Sequence, residues 1–466
     1  MVRICIILSF IILGFKHASA QLTLHITVPQ NTPLLDDIYV AGNFNSWNPA
    51  DAATVLTANS DGSYQLTFNP PVGNVEFKFT RGDWPNVEAD ASGIDIGDRT
   101  VYYGGGQQTE NLNVESWIDL GPASGTMGQN VRILDDNLFI PQLNRERKVW
   151  IYLPPDYHAS TENYRVLYMH DAQNLFDISA SFSDEWEIDE TLDDLFSQGD
   201  PGAIVVGIDN GEQFRIDEYS PWNNPSYGGG QGGLYTDFIV QTLKPIVDAN
   251  FRTLPSREHT AILGSSMGGL ISMYAAIEHQ DVFGKAGILS PSFWFSNEVY
   301  SHVQNTGKEQ DMRIVLMAGE QESASMVQNL NDMHTTLTGV GFQPNELNLT
   351  THWDGQHSEW YWAREFWWVY QWLFANTTVT VDEAETVSLS VYPNPFTDKT
   401  TISLKGEIER GSSLVLTDLT GRIVYSESIT SNTMTINSNE TDNGIFIVHL
   451  QERVGNKRIL GKLISQ

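Results

Sequence analysis

The short sequence GSSMG, residues 264–268, is the stretch of this chain whose spacing most clearly suits chemistry. It follows an apolar run that ends at Leu263, and it opens a helical pattern over Gly268–His279. Glycines on both sides of a central serine permit a sharp turn from strand to helix, which holds the serine hydroxyl clear of the backbone. The pattern predicts that Ser266 is a nucleophile and that the backbone N–H of Met267 is one donor to an oxyanion.

A serine hydroxyl is a weak nucleophile, so it needs a histidine as base and a carboxylate that orients the histidine. In hydrolases with this turn the chain order is serine, acid, histidine. Two of the eleven histidines, His352 and His357, lie late enough and near the last predicted strand. His357 is favoured because it stands in a loop before a helix, whereas His352 falls within the strand. The acid should follow an earlier strand, where Glu320 and Glu322 are both candidates.

These candidates lie in residues 130–376, where predicted strands and helices alternate. The predicted strands are Lys148–Leu153, Arg165–His170, Ala203–Ile208, Thr260–Leu263, Lys285–Leu289, Arg313–Ala318 and Asn345–His352. The predicted helices between and after them include Tyr235–Asn250, Gly268–His279 and Glu359–Phe374. This alternation predicts an α/β fold with a largely parallel sheet covered on both faces. The loop at 170–177 should supply the second oxyanion donor, the backbone N–H of Asp171 or Ala172.

Three further segments flank this block. The first, residues 1–20, has a basic start, a short apolar run and an Ala-Ser-Ala close, which predicts a cleaved secretory signal peptide. Residues 21–118 contain short strand patterns separated by turns, which predict a small β-sandwich. A polar linker at 377–387 then leads to residues 388–466, which return to strand patterns and predict a second small β-sandwich.

Composition excludes several functions. The net charge is −32, from 58 acidic and 26 basic residues, so binding to nucleic acid is not expected. The single cysteine, Cys5, lies in the predicted signal peptide, which leaves the mature protein without a thiol. The apolar run of the signal is shorter than the ~20 residues of a membrane span. No metal site and no cofactor are expected from the sequence.

The block at 130–376 resembles the esterase family related to esterase D and to feruloyl, acetylxylan and enterochelin esterases. The resemblance rests on the loop HDAQNLFD at 170–177, GSSMGG at 264–269, LSPSFW at 289–294 and GQH at 355–357. It implies an α/β-hydrolase fold and a serine esterase that removes acyl groups, such as acetyl or feruloyl, from carbohydrate.

The same resemblance bears on two site residues. In the family the acid commonly lies three residues after the glycine that ends the penultimate strand, which corresponds to Glu322 rather than Glu320. A common form of the first loop has glycine where this chain has Ala172, so the chain departs from the family at the second oxyanion donor.

The N-terminal segment resembles the starch-binding modules of carbohydrate-binding family twenty. The matching pieces are VAGNFNSWNP at 40–49, EFKF at 76–79, Trp84 and Asp98-Arg99. The resemblance implies α-glucan binding in which Trp47 and Trp84 stack on sugar rings and Lys78 assists. Asp98 stands where the family has a binding asparagine. The alternative is a spacer domain in which Trp47 is structural.

The C-terminal segment is similar to the sorting domains of the type IX secretion system. Three motifs carry the similarity: Tyr392–Phe396, Asp418–Arg422 and Gly444–Ile447. The similarity implies that the secretion machinery is a partner, with export across a Gram-negative outer membrane to the medium or the cell surface.

Two alternatives to ester hydrolysis remain open at this point. The acyl-enzyme could pass its acyl group to a sugar hydroxyl instead of water, which would make the protein an acyltransferase. The second alternative is a non-catalytic glycan-binding protein whose hydrolase domain has lost its activity. The intact set of Ser266, His357 and Glu322 argues against it.

Overall fold

The computed structural model describes residues 21–59, 61–121, 125–374 and, with short gaps, 388–465. The gaps in the last stretch are 406–407, 409–411, 418–421, 439–440, 442–443 and 452–456. The predicted signal peptide with Cys5, the predicted linker at 377–387 and most of the Asp418–Arg422 motif lie outside the described residues. Contacts group the chain into two compact units, one that ends at Ala375 and one that begins at Asn376.

The first described residues form a β-rich region with its own core. Its strands are β1 (Gln21–Thr27), β2 (Tyr39–Gly42), β3 (Thr57–Ala58), β4 (Tyr64–Phe68), β5 (Gly73–Thr80), β6 (Glu88–Ala89), β7 (Arg99–Tyr103), β8 (Gln107–Asn113) and β9 (Ser116–Trp117). They form sheets of order β3-β4-β1-β8 and β2-β5-β7, while β6 pairs with β9. Alternate residues of β1, such as Leu22 and Leu24, face the core, as expected of a strand with one buried side. They share that core with Phe77 and Phe79 of β5.

The next region is built on one large sheet. Its strands are β10 (Val131–Ile140), β11 (Arg145–Tyr152), β12 (Arg165–His170), β13 (Ala203–Ile208), β16 (Thr260–Ser265), β17 (Lys285–Leu289), β18 (Arg313–Gly319) and β19 (Leu347–His352), with a short hairpin of β14 (Asn223–Asn224) and β15 (Gly228–Gly229) outside the sheet. The order is β10-β11-β13-β12-β16-β17-β18-β19. Six neighbouring strands of this order are parallel, namely β13, β12, β16, β17, β18 and β19. At the edge, β11 is antiparallel to both of its neighbours, β10 and β13.

Helices cover both faces of this sheet. They are α1 (Ile188–Ser197), α2 (Arg215–Glu218), α3 (Gly232–Phe238), α4 (Lys244–Asn250), α5 (Met267–Glu278), α6 (Glu298–Thr306), α7 (Met326–Gly339) and α8 (Glu359–Phe374), with a π-helical turn at Ile239–Leu243 between α3 and α4. Tyr168 of β12 packs in one core with Leu270 of α5, whereas its neighbour Met169 packs in a second core with Phe366 of α8. Since successive strand residues alternate between two cores, the sheet is buried on both sides. The α/β prediction is confirmed.

The second unit is also β-rich. Its strands are β20 (Ser388–Tyr392), β21 (Lys399–Lys405), β22 (Ser413–Thr417), β23 (Ile423–Ser428), β24 (Thr433–Asn437), β25 (Gly444–Gln451) and β26 (Lys457–Ser465). They form sheets of order β20-β21-β24 and β23-β22-β25-β26, and side chains from both, such as Ile402 and Leu414, share a core. Within the residues that are described, no helix has the length and apolar character needed to cross a membrane.

Candidate active site

Ser266 occupies the sharp turn between β16 and α5. Its backbone has φ 58° and ψ −121°, a conformation that non-glycine residues rarely adopt and that costs of order 1–3 kcal/mol. The Ser266 N–H donates to the carbonyl of Leu289 at 2.9 Å, which ties the turn to the end of β17. A Cβ on Gly264 would lie 2.7 Å from the backbone of Gly268, so the turn can close this tightly only with glycine there. The local sequence therefore imposes the position of the half-buried serine at the tip of the turn.

His357 links Ser266 to Glu322 through both ring nitrogens. His357 Nε2 lies 3.0 Å from Ser266 Oγ, and His357 Nδ1 lies 2.7 Å from Glu322 Oε2. In the tautomer that suits this geometry, Nδ1–H donates to the carboxylate and Nε2 is left to accept the serine proton. The His357 side chain is 42% exposed, whereas that of Glu322 is 1% exposed. The histidine is thus open to solvent while its carboxylate partner is not.

The second oxygen of Glu322 is held by two donors. Ser290 Oγ and the backbone N–H of Gly319 both donate to Glu322 Oε1 at 2.7 Å. Trp362 Nε1–H donates in turn to Ser290 Oγ at 2.8 Å, and the Trp362 ring meets the His357 ring edge to face at 5.1 Å. These bonds offset the cost of burying the Glu322 carboxylate and hold its other oxygen, Oε2, toward the histidine.

The alternative acid and base point elsewhere. Glu320 is exposed and accepts a hydrogen bond from Thr351 Oγ1 at 2.8 Å. His352 Nδ1 lies 3.0 Å from Tyr361 Oη, and its Nε2 lies 3.4 Å from Glu365. Both side chains therefore have partners of their own, away from the serine.

The loop after β12 is where the second oxyanion donor was expected. Asp171 has a left-handed backbone with φ 56°. Its carboxylate accepts from Arg215 Nε and Nη2 at 2.7 and 2.8 Å and from Asn210 Nδ2 at 2.8 Å. Burial acts to raise the pKa of Asp171, but the charge and hydrogen bonds of Arg215 outweigh it and lower that pKa. The Asp171 N–H donates to Tyr219 Oη at 3.1 Å, so of the two expected donors only that of Ala172 remains available in this loop.

Two features beside the serine had no counterpart in the sequence prediction. Ser292 Oγ lies 3.3 Å from Ser266 Oγ, and the Ser292 N–H donates to the Ser266 carbonyl at 2.9 Å. A cavity of about 600 Å³ opens next to His357, and Trp294 and Met326 are among its lining residues. The only available sequence signal was the family-like stretch LSPSFW at 289–294, which contains Ser292 and Trp294.

The residues expected to bind glucan lie on the N-terminal region. The rings of Trp47 and Trp84 are 6.5 Å apart with an interplanar angle of 40°, and Trp84 is 40% exposed. Trp47 has a positive φ of 57°, which is unusual for a bulky residue. Lys78 is buried and forms an ion pair with the exposed carboxylate of Asp95, and Asp98 is exposed.

Comparisons with known proteins agree with this fold. The family described as "Putative esterase" matches residues 140–369, and the family described as "Secretion system C-terminal sorting domain" matches residues 390–466. The uncharacterized protein YbbA of Bacillus subtilis is 26% identical over 249 residues, which are 50% of this chain and 95% of that protein. An alpha-amylase of Niallia circulans is 48% identical over 100 residues, which are 21% of this chain and 8% of that protein, and the likeness lies in the N-terminal region.

Two solved structures are similar to this chain at low sequence identity. A ferulic acid esterase is 18% identical with a TM-score of 0.40, over 51% of this chain and 96% of that one. The enterobactin esterase FES of Shigella flexneri is 15% identical with a TM-score of 0.43, over 74% of this chain and 91% of that one.

The large α/β region is that of a serine hydrolase. More particularly, residues 140–369 belong to the esterase family, so the predicted class of enzyme, a serine esterase, is confirmed. The tail at 390–466 is a secretion sorting domain of the type IX kind, which confirms the prediction of an exported protein, either secreted or attached to the cell surface.

Proposed function

We propose that the esterase uses Ser266 as nucleophile, His357 as general base and Glu322 as the acid that orients the base. The observation that carries this proposal is the unbroken series of hydrogen bonds from Ser266 Oγ through both nitrogens of His357 to Glu322, at 3.0 and 2.7 Å. The bond distances fall in the range that proton transfer between a nucleophile and its base requires.

The proposed reaction has two halves. Ser266 Oγ attacks the acyl carbon while His357 Nε2 accepts its proton, and Glu322 stabilises the imidazolium without itself becoming protonated. The oxyanion accepts hydrogen bonds from the backbone N–H groups of Met267 and Ala172. His357 then protonates the leaving alcohol. In the second half a water molecule gives its proton to His357 and attacks the acyl-enzyme, and His357 returns that proton to Ser266 Oγ as the acid is released.

The substrate we propose is an acyl group, such as acetyl or feruloyl, attached to carbohydrate. The cavity of about 600 Å³ beside His357 has room for an acyl group or a sugar residue. Trp294 lines it and is 52% exposed, and its ring meets Tyr227 at 5.6 Å. An exposed indole offers a flat apolar face, which suits the C–H face of a sugar or an aromatic acyl group.

We further propose that Trp47 and Trp84 bind α-glucan. The likeness to an alpha-amylase in this region supports this, as do the paired rings 6.5 Å apart. In full-length protein, Trp47→Ala and Trp84→Ala should each weaken the free energy of starch binding by about 1 kcal/mol, measured as reduced retardation in starch gels. Phe139→Ala is the control, since Phe139 is 51% exposed on β10. Unchanged retardation in both tryptophan variants would favour the spacer role.

The experiment that tests the triad is the Ser266→Ala variant. We expect kcat on acetyl, feruloyl and short-chain p-nitrophenyl esters to fall ~10⁴–10⁶-fold with an unchanged melting temperature. Ser325→Ala is a matched control, because Ser325 is exposed and lies outside the hydrogen-bonded series. Substantial activity in a clean, folded Ser266→Ala preparation would refute the assignment.

Acyl transfer to a sugar acceptor is the alternative use of the same acyl-enzyme. The 42% exposure of His357 favours hydrolysis, because water reaches the base directly. Product analysis with a sugar acceptor present separates the two. Free acid as the main product supports hydrolysis, and a new sugar ester supports transfer.

A further inference from the structure

Three carboxylates gather where α1 begins, and the proposed reaction uses none of them. Glu185, Asp189 and Glu190 each contribute one oxygen to a group in which all three oxygens lie within 4.8 Å of one another. Glu185 is 8% exposed and Asp189 only 1%, whereas Glu190 is exposed. Like charges at this distance repel strongly once they are removed from water.

Two oxygens of this group are buried without a hydrogen-bond donor. Glu185 Oε2 accepts from Thr126 Oγ1 at 2.5 Å, and Asp189 Oδ2 accepts from the backbone N–H of Gly128 at 2.7 Å. Their other oxygens, Glu185 Oε1 and Asp189 Oδ1, are buried and have no partner. Among the described residues, no lysine, arginine or histidine forms an ion pair with any of the three carboxylates. Buried carboxylate oxygens normally have a donor or a cation, so these two lack a partner that their burial demands.

Acidic residues in the first turn of a helix are common, because the helix dipole favours them there. That effect accounts for Glu190, which is exposed in the first turn of α1. It does not account for Glu185, which precedes the helix, or for the unpartnered oxygen of Asp189. A positively charged ligand satisfies all three.

We propose that Glu185, Asp189 and Glu190 bind a hard divalent cation, calcium. Two oxygens bound to one calcium ion at about 2.4 Å can be at most about 4.8 Å apart, and the three oxygens here lie within 4.8 Å of one another. Calcium accepts six to eight oxygen ligands in irregular geometry, so carboxylates supplemented by water suit it better than the strict octahedron of magnesium. The sequence predicted no metal site, and the spacing of these three residues matches no metal-binding motif.

The site would also support the proposed catalytic triad, and this consequence rests on the proposed function. Trp186 lies next to Glu185 in the chain, and its ring packs 5.6 Å from the ring of Trp362. Trp362 in turn contacts His357 and donates to Ser290, which holds Glu322. A cation that fixes the segment before α1 would therefore keep Trp362 in place.

The test uses the full-length protein after treatment with a chelator. Calcium binding is measured by titration calorimetry, and terbium(III) serves as a luminescent substitute for calcium that Trp186 sensitises. Asp189→Asn and Glu185→Gln remove the charge of a buried ligand and keep its shape. Asp194→Asn is the matched control, since Asp194 is an exposed residue of the same helix.

We expect one calcium site in the wild type, a rise in Tm of about 5 °C at saturating calcium, and loss of both in Asp189→Asn and Glu185→Gln but not in Asp194→Asn. If a buried-ligand variant does not fold, Glu190→Gln takes its place and should weaken binding at least tenfold. A wild-type Tm that calcium does not change, or equal binding by Asp189→Asn and wild type, would overturn the proposal and indicate that the carboxylates share a proton instead.

The outcome does not depend on the triad assignment. Calcium binding and the Tm shift should be the same in Ser266→Ala as in the wild type, so failure of the proposed catalytic roles would leave them intact. Loss of esterase activity on chelation, restored by calcium, tests the link through Trp186 separately.

Discussion

Replacing Glu322 by glutamine should reverse the hydrogen bond on which the proposed base depends. Glu322 Oε1 accepts from both Ser290 Oγ and the Gly319 N–H, so the amide oxygen of a glutamine is held at that position. The amide nitrogen then takes the place of Oε2, 2.7 Å from His357 Nδ1. An N–H group there can only donate, which forces Nδ1 to accept and places the ring proton on Nε2. In this tautomer His357 cannot accept the proton of Ser266.

The expected magnitude follows from that reversal. An aspartate-to-asparagine change that traps the wrong tautomer in a serine protease lowers kcat about 10⁴-fold, and we expect a similar loss, about 5 kcal/mol in activation free energy. The assay is kcat for p-nitrophenyl acetate at neutral pH, with Tm measured in parallel. Glu320→Gln is the control and should leave kcat unchanged, because Glu320 is exposed and bonded to Thr351. A folded Glu322→Gln variant within tenfold of wild-type kcat would refute the tautomer argument.

Three further predictions concern the proposed oxyanion loop, a buried histidine and the C-terminal tail. Arg215→Gln removes the ion pair and both Arg215 hydrogen bonds of the Asp171 carboxylate, so the proposed oxyanion loop should shift and kcat should fall about 10²-fold with little change in KM; an unchanged kcat would show that the loop holds without Arg215. Burial lowers the pKa of His170 from 6.5 to about 4. The unfolded state binds the proton more readily, so the stability that depends on neutral His170 is fully present above pH 6.5 and falls by about 2–3 kcal/mol at pH 4.5. Urea unfolding at pH 6.5 and 4.5 should show a smaller pH dependence of the free energy of unfolding for His170→Gln than for the wild type. Deleting residues 388–466 should abolish export in the native host yet leave kcat unchanged, since the proposed triad ends at His357; a soluble, folded truncation without activity would contradict this.

The α/β region was predictable because its signals are local. GSSMG needs only five neighbouring residues to specify the turn, and β12, β13 and β17 coincide with the strands that their apolar runs predict. A strand buried on both faces carries a continuous apolar run, which a sequence shows directly. The class of fold followed from the alternation of such runs with helices.

The elements that escaped prediction depend on distant partners. Strand β8 has the sequence QQTENLN, which shows no apolar face. It forms because it pairs in parallel with β1 along its whole length. Strand β10 is interrupted by register shifts near Asp135. Leu34 and Leu35 lie in the predicted N-terminal module, yet their N–H groups donate to β10 and they pack against the α/β core. The boundaries of the modules stay a prediction.

Within the site, residue type and chain order limited the candidates for the acid but could not by themselves select between them. Glu320 and Glu322 are two residues apart; the family spacing favoured Glu322, and in the structure their surroundings distinguish them. One donor to Glu322, the Gly319 N–H, is local, whereas the other, Ser290 Oγ, follows β17 and is itself held by Trp362 on α8, far away in the sequence. No local pattern encodes such a contact, because it arises when the sheet and its covering helix pack together.

Backbone strain is the property of this site least visible in the sequence. Asp171, Ser266 and Ser290 all have positive φ, at 56°, 58° and 43°. They follow β12, β16 and β17, which are neighbours in the sheet. Each such conformation costs of order 1–3 kcal/mol, and it persists only where the surroundings determine the backbone. Here the three strands are paired in register and buried, so the rigid centre of the sheet can hold all three. The proposed oxyanion loop, the nucleophile and the residue that holds the acid therefore lie side by side, at the ends of three neighbouring strands whose pairing fixes their backbones.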